Sequence, residues 1–245
     1  MSPSNTPRAV TWSLSGNILV VTIDHPPVNA LSADVRRGLV DSLDSAERDP
    51  AVAAVLIVGA GRNFIAGADI REFGKPPQPP ALPDVCERIE AASKPVVAAL
   101  HGATLGGGLE IALAAHYRVA LAAAKLGLPE VKLGLMPGAG GTQRTSRLIG
   151  VAAALDLMLS GRHANAEEAL ALGLVDQLGK GEDVLEAGLA YARELVARHA
   201  PPRRTRDARA FEADPSAART AIDEARRHTA KRSRGPSGRR STTTP

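Results

Sequence analysis

Two glutamates, Glu110 and Glu130, stand in glycine-rich and apolar stretches of the sequence. Glu110 follows three consecutive glycines at 106–108, and Glu130 lies within residues 126–142, LGLPEVKLGLMPGAGGT. An apolar environment disfavours the charged form of a carboxyl group, so Glu130 is expected to be partly desolvated and to hold a proton more easily. Two such carboxyl groups near backbone donors are suited to paired acid and base chemistry on a carbonyl compound.

Both glutamates also have simpler interpretations. A carboxylate at position 110, in the first turn of a predicted helix, would stabilise the positive end of the helix dipole. Glu130 would in turn form an exposed ion pair with Lys132, two residues along the chain. Residue type and spacing leave these alternatives open.

Two segments of small residues offer peptide N–H groups to a ligand. Residues 64–70, FIAGADI, follow a predicted buried strand; they indicate either close ligand approach or a tight strand-to-helix turn. The glycines at 106–108 open a predicted helix, where free N–H groups suit a phosphate or an oxyanion. Ile111 occupies the last position of Gly-x-Gly-x-x-Gly, and no Walker-type loop occurs, which excludes the two common nucleotide motifs. An oxyanion site is therefore favoured.

Other catalytic motifs are not recognisable. His101, His116 and His163 have no metal-ligand spacing with one another or with Cys86. The sequence also lacks the Gly-x-Ser-x-Gly elbow of a serine nucleophile. We therefore expect neither a metal site nor covalent catalysis.

The elements that must position these groups follow an α/β order. Apolar runs predict four strands, at 18–23, 52–58, 96–100 and 117–121. Helical spacing and capping predict helices from Ser32 to Arg48, over 84–92, over 109–116 and through most of 141–198. The proline-rich residues 74–83 predict a loop between two of these elements.

Composition and charge exclude several classes of protein. The 245 residues are 44% hydrophobic and 23% charged, as in globular proteins, and only 2% aromatic, which argues against stacking on single-stranded nucleic acid. The net charge of +4 comes from residues 201–245, with twelve basic and five acidic side chains. An apolar signal core, a membrane-length apolar stretch and a second cysteine are all missing. We expect a cytoplasmic protein without membrane or nucleic-acid partners.

Four segments together resemble the crotonase (enoyl-CoA hydratase/isomerase) family. They occur in the family's order and spacing across about residues 10–198: FIAGADI, VAALHGATLGGGLE, LPEVKLGLMPGAGGTQR and LSGRHANAEEALALGLVD. The resemblance implies a spiral of ββα units followed by C-terminal helices, forming a catalytic domain over residues 1–198. Residues 199–245 depart from the family pattern. They predict a basic segment, helical over 210–227 and disordered over 233–245.

The resemblance also implies roles for individual residues. The backbone N–H groups of Ala66 and Gly107 would form the oxyanion hole, Glu110 would activate water, and Glu130 would transfer a proton at Cα. Contacts with the coenzyme A ester would come from Ala66, Gly67, Ala68, Asp69, Ile70 and Gly107.

The double-glutamate pattern implies an enoyl-CoA hydratase that needs no separate cofactor or metal. The middle of the sequence is particularly similar to the hydratase portion of bifunctional β-oxidation enzymes. The resemblance further implies a homotrimer or a dimer of trimers. The alternatives are another crotonase reaction, such as Δ3-Δ2-enoyl-CoA isomerisation, and a weakly active acyl-CoA-binding protein.

Overall fold

A computed structural model describes residues 8–72 and 74–233, without the side chains of residues 228 and 231–233. Within these residues the larger sheet has the order β1-β2-β3-β4-β6-β9, in which only the β1–β2 pair is antiparallel. Its strands are β1 (Val10–Ser15), β2 (Ile18–Ile23), β3 (Ala54–Gly59), β4 (Val96–Leu100), β6 (Tyr117–Ala120) and β9 (Gln177–Leu178). The predicted α/β class is confirmed.

The central strands are buried because they are almost wholly apolar. Every residue of β3 and β4 is buried, as expected of parallel strands covered on both faces. Alternate side chains therefore enter two separate cores, one under the helix at Val184–Ala197 and the larger one under the other helices.

Eight helices are found in the described residues. They are α1 (Ala33–Arg48), α2 (Leu82–Glu90), α3 (Gly107–Ala114), α4 (Gly141–Ile149), α5 (Val151–Ser160), α6 (Ala166–Leu172), α7 (Val184–Ala197) and α8 (Pro215–Ser233). Ser32 caps α1 as predicted, because its hydroxyl oxygen accepts a hydrogen bond from the Val35 N–H at 3.4 Å.

A second, three-stranded sheet positions both glutamates. It has the order β5-β7-β8, with β5 at Ala103–Leu105, β7 at Lys125–Gly127 and β8 at His163–Asn165. Strands β5 and β7 are parallel, so their carboxyl ends meet at the same edge. The chain then enters α3 after β5 and a short 3-10 turn, Pro129–Leu133, after β7. One glutamate lies on each of these two segments.

Several predicted boundaries need correction. Helix α3 begins at Gly107 rather than at residue 109, β3 begins at Ala54 rather than at 52, and α2 begins at Leu82. The region 141–198 is helical in the main but also contains β8 and β9. These strands have two or three residues, too few for a periodic signal in the sequence.

The basic C-terminal segment folds back onto the preceding helices as far as it is described. The helix predicted over 210–227 begins later, at Pro215, as α8, while Ala210–Glu212 forms a 3-10 turn; α8 packs against α5 and extends to Ser233. Disorder was predicted from 233 onward; Ser233 instead ends α8, and residues 234–245 lie outside the described residues.

Candidate active site

Helix α3 brings Glu110 into the interior. All eight residues of α3 are buried, and Glu110 itself is only 2% exposed. The approach of α3 to the segment 64–70 requires glycine, since a Cβ on Gly108 would lie 2.2 Å from the Ile65 carbonyl oxygen. Gly106 precedes the helix with a φ of +53°, a conformation that favours glycine. The glycines therefore permit the burial of this carboxyl group.

The Glu110 carboxylate is held by backbone groups of a distant loop. Its Oε1 accepts hydrogen bonds from the N–H of Ala139 at 2.7 Å and from that of Gly141 at 2.8 Å. Burial raises the pKa of Glu110, while these two hydrogen bonds and the nearby Arg144 cation oppose the rise. Although Glu110 does lie in the first turn of α3, its partners show that it does more than stabilise the helix dipole.

Glu130 is half-buried on the 3-10 turn that follows β7. Its Oε2 is buried and has no hydrogen-bond partner among the described residues. Burial raises the pKa of Glu130, and the negative charge of Glu110 raises it further. The alternative pairing with Lys132 is not found among the ion pairs of the described residues.

The two carboxyl groups converge around the start of α3. A Cβ on Gly106, the residue before α3, would lie 3.2 Å from Glu130 Oε1. Glu110 lies in the first turn of the same helix, near enough for its charge to raise the pKa of Glu130. The two groups also have different surroundings, because only Glu110 accepts amide hydrogen bonds from another segment. Different surroundings allow one carboxyl group to remain ionised while its neighbour keeps a proton, the requirement for paired acid and base work.

Backbone donors face the same region from two segments. Gly107 is the first residue of α3, where an N–H has no carbonyl partner inside the helix. A Cβ on Gly106 would lie 4.0 Å from the Cα of Gly67, so the two glycine segments are neighbours. The Ala66 N–H, however, already donates to the Val28 carbonyl at 3.2 Å. By contrast, no hydrogen bond from the Ala68 N–H is found in the described part of the chain.

The remaining predicted contact residues behave differently from one another. Asp69 is 6% exposed and receives hydrogen bonds from the Arg71 guanidinium, which lowers the pKa of Asp69 to about 2. Ile70 is 75% exposed. Asp69 therefore serves to fix the turn after Gly67, whereas Ile70 stands free for contact with a ligand.

Sequence reasoning missed the residues that hold Glu110. Ala139 and Gly141 supply the two amides, and Arg144 and Glu90 lie behind them as a buried ion pair. The glycines at 138, 140 and 141 indicated the loop in the sequence, but nothing in the sequence indicated that it would bind Glu110, 31 residues before Gly141. Residues 8–72 and 74–233 contain no cluster of three or more potential metal ligands.

Replacing Glu130 by glutamine is expected to raise the melting temperature by about 1–3 °C near pH 8, and by less near pH 5. The folded-state pKa of Glu130 is raised, so its carboxyl group ionises more easily in the unfolded chain than in the folded protein. Its cost to the free energy of unfolding therefore grows as the pH rises through the range between the unfolded-state and folded-state pKa values. Thermal unfolding at both pH values tests this. Glu167→Gln, on the exposed face of α6, is the control. An equal rise at both pH values would show that ionisation of Glu130 is not the cause.

The chain matches one protein family over most of its length. Residues 13–231 match the family described as Enoyl-CoA hydratase/isomerase. The crystal structure of the enoyl-CoA hydratase from Bacillus anthracis superposes with a TM-score of 0.72 at 27% identity, over 91% of each chain. This likeness confirms the predicted crotonase-type architecture.

Curated relatives include stand-alone and multifunctional proteins. The probable enoyl-CoA hydratase of Bacillus subtilis is 45% identical over 197 residues, covering 77% of this chain and 76% of the relative. The peroxisomal bifunctional enzyme of Danio rerio is 49% identical over 188 residues, but the match covers 77% of this chain and only 26% of that protein. The chain thus spans about a quarter of such bifunctional relatives. No helix in the described residues is both long and apolar enough to cross a bilayer.

Proposed function

The chain belongs to the enoyl-CoA hydratase/isomerase family, and we propose that it catalyses the reversible hydration of trans-2-enoyl-CoA to 3-hydroxyacyl-CoA. The observation that carries this proposal is the meeting of two glutamates, both with raised pKa, at the start of α3. Syn addition of water needs one group that takes a proton from water and another that gives a proton to carbon. The names of the hydratase relatives support the same reaction.

Glu110 acts as the base and Glu130 as the acid. The two amide hydrogen bonds and Arg144 favour the ionised form of Glu110, while the charge of Glu110 favours the protonated form of Glu130. Glu110 takes a proton as the water oxygen bonds to C3, and Glu130 delivers its proton to C2. Proton exchange then returns both carboxyl groups to their starting states. Both carboxyl groups contact the attacking water.

The thioester oxygen gains negative charge as water adds to C3, and it requires hydrogen-bond donors. Gly107 provides one through its N–H at the start of α3. For the second donor we propose Ala68 in place of Ala66, because the Ala66 N–H is already bonded to Val28. Residues 66–70 then line the coenzyme A ester, which enters as part of the substrate; the mechanism requires no other cofactor or metal.

We also propose a homotrimer or a dimer of trimers. An apolar surface beside Glu130 supports association, because Leu133 is 67% and Met136 is 77% exposed, with Val131 and Leu135 next to them. Light scattering after size exclusion should give a mass of three or six chains of 25.4 kDa. A monomer at micromolar concentration would contradict this assembly.

A cytoplasmic location is a further proposal, which rests on the unpaired, buried Cys86.

Purified protein added to crotonyl-CoA should lower the ultraviolet absorbance of the conjugated enoyl thioester until the hydration reaches equilibrium. Conversion of a 3-enoyl-CoA without uptake of water would instead favour the isomerase alternative. Tight binding of the ester by calorimetry without turnover would favour an acyl-CoA-binding protein. Both outcomes would overturn the hydratase proposal when crotonyl-CoA itself is left unchanged.

A further inference from the structure

The amides that hold Glu110 belong to an irregular loop that needs its own support. Ala139 and Gly141 stand just before and at the start of α4, outside any sheet. Arg144, in the first turn of α4, donates from Nη1 to the Ala139 carbonyl oxygen at 2.9 Å. The peptide group that contains this carbonyl lies between the two amides that donate to Glu110. The guanidinium of Arg144 therefore fixes the orientation of the loop.

Glu90 holds Arg144 from the other side. Nη2 of Arg144 donates to Glu90 Oε2 at 2.9 Å, and the side chains are 9% and 1% exposed. Glu90, at the end of α2, also accepts from the backbone N–H and the Nε of Arg206, at 2.8 and 2.9 Å. A continuous series of contacts thus runs from the C-terminal segment through Glu90 and Arg144 to Ala139 and Glu110.

The fit around the guanidinium is tight. Gly140 has a φ of +94°, and a Cβ there would lie 2.2 Å from Arg144 Nη1. The loop is thus shaped around this side chain. Burying an ion pair gains little stability over an apolar pair of similar volume. An apolar pair, however, could not donate the hydrogen bond by which Arg144 holds the loop that carries the donors to Glu110.

We propose that Arg144, held in place by Glu90, is a positioning residue for the Glu110 carboxylate. This inference rests on the proposed hydratase function. Arg144 touches neither substrate nor the attacking water; it acts through the Ala139 and Gly141 amides.

Charged and titratable groups face Glu110 from three elements. Arg144 approaches from α4, Glu130 from the 3-10 turn and Cys86 from α2, with Glu90 behind Arg144. Burial raises the pKa of the Cys86 thiol to about 12, so that group stays neutral. Loss of the Arg144 cation raises the pKa of Glu110, which must be ionised to act as a base. The acidic limb of the kcat profile should therefore move to higher pH.

The test compares Arg144→Ala with Arg147→Ala in crotonyl-CoA hydration. We expect Arg144→Ala to lower kcat by about 10–100-fold while KM changes by less than about twofold. Added guanidinium ion should restore much of the lost rate, because a cavity of about 290 Å³ leads to this site between Arg144, Glu90 and Gly140. Arg147 lines the same cavity, but its guanidinium lies over Phe211, at 5.1 Å, so its removal should change neither kcat nor the pH profile.

A folded Arg144→Ala variant with kcat within about twofold of wild type would overturn the inference. If that variant does not fold, Glu90→Gln serves as the test instead, because glutamine keeps the shape of the side chain and removes its charge. We expect a fall in kcat of at least about fivefold for Glu90→Gln with KM unchanged, and a wild-type kcat there would also overturn the inference. An inactive wild-type protein would count against the proposed function itself.

Discussion

Replacing Glu110 by glutamine should lower kcat for the hydration of crotonyl-CoA by about 10²–10⁴-fold. Glutamine keeps the size of the side chain, and its Oε1 still accepts hydrogen bonds from the Ala139 and Gly141 amides. What it cannot do is take a proton from water at neutral pH. KM should change little, because the carboxyl group acts on water rather than on the coenzyme A ester. Steady-state kinetics with a range of crotonyl-CoA concentrations measures both quantities.

The control for this substitution is Glu182→Gln. Glu182 is exposed just before α7, away from the cavity and the contacts around Glu110, so its replacement should leave kcat unchanged. Thermal unfolding of both variants shows whether the fold is retained. If a folded Glu110→Gln protein hydrates crotonyl-CoA at the wild-type rate, the assignment of Glu110 as the base is wrong.

Gly107→Pro should lower kcat/KM by about 10²–10³-fold relative to Gly107→Ala. Proline removes the backbone N–H that we assign to the oxyanion, whereas alanine keeps it. Both substitutions add a Cβ in the same place, 2.8 Å from Leu82 Cδ2 and 2.9 Å from Leu31 Cδ1. These contacts are ends of flexible side chains, and proline is well tolerated at the first position of a helix. The difference between the two variants therefore reports on the hydrogen-bond donor.

Circular dichroism and melting temperature establish that the two Gly107 variants fold alike. Their kinetics with crotonyl-CoA then separate crowding, which both share, from the loss of the donor. Equal activities in the two variants would remove Gly107 from the oxyanion site, even if both were slower than the wild-type protein.

The long apolar runs made the main sheet predictable from sequence. Residues 18–23 and 96–100 form β2 and β4 with the predicted bounds, because a run of buried Val, Leu, Ile and Ala has few other stable arrangements. The strands β5 and β7, which bring the two glutamates together, have three residues each. Such short strands are specified by their neighbours in space rather than by their own pattern, so their pairing could not be read from the sequence.

The site shows the same division between local and distant information. Glu110 and Glu130 stood out as carboxyl groups in glycine-rich, apolar segments, but the family resemblance was needed to choose between a catalytic and a structural role for them. The assignment of Ala66 came from the family resemblance, whereas which amide of that segment is free depends on the contact with Val28, 38 positions earlier. The pair of Arg144 and Glu90 joins residues 54 positions apart and carries no local signal.

The most direct test of the central claim is the fate of crotonyl-CoA incubated with the purified protein in oxygen-18 water. We expect 3-hydroxybutyryl-CoA that carries one oxygen-18 atom on C3, detected by mass spectrometry, and formation of this labelled product about 10²–10⁴-fold more slowly with the Glu110→Gln variant. Recovery of unlabelled, unchanged crotonyl-CoA from the wild-type protein would contradict the proposal that this pair of glutamates adds water to an enoyl thioester.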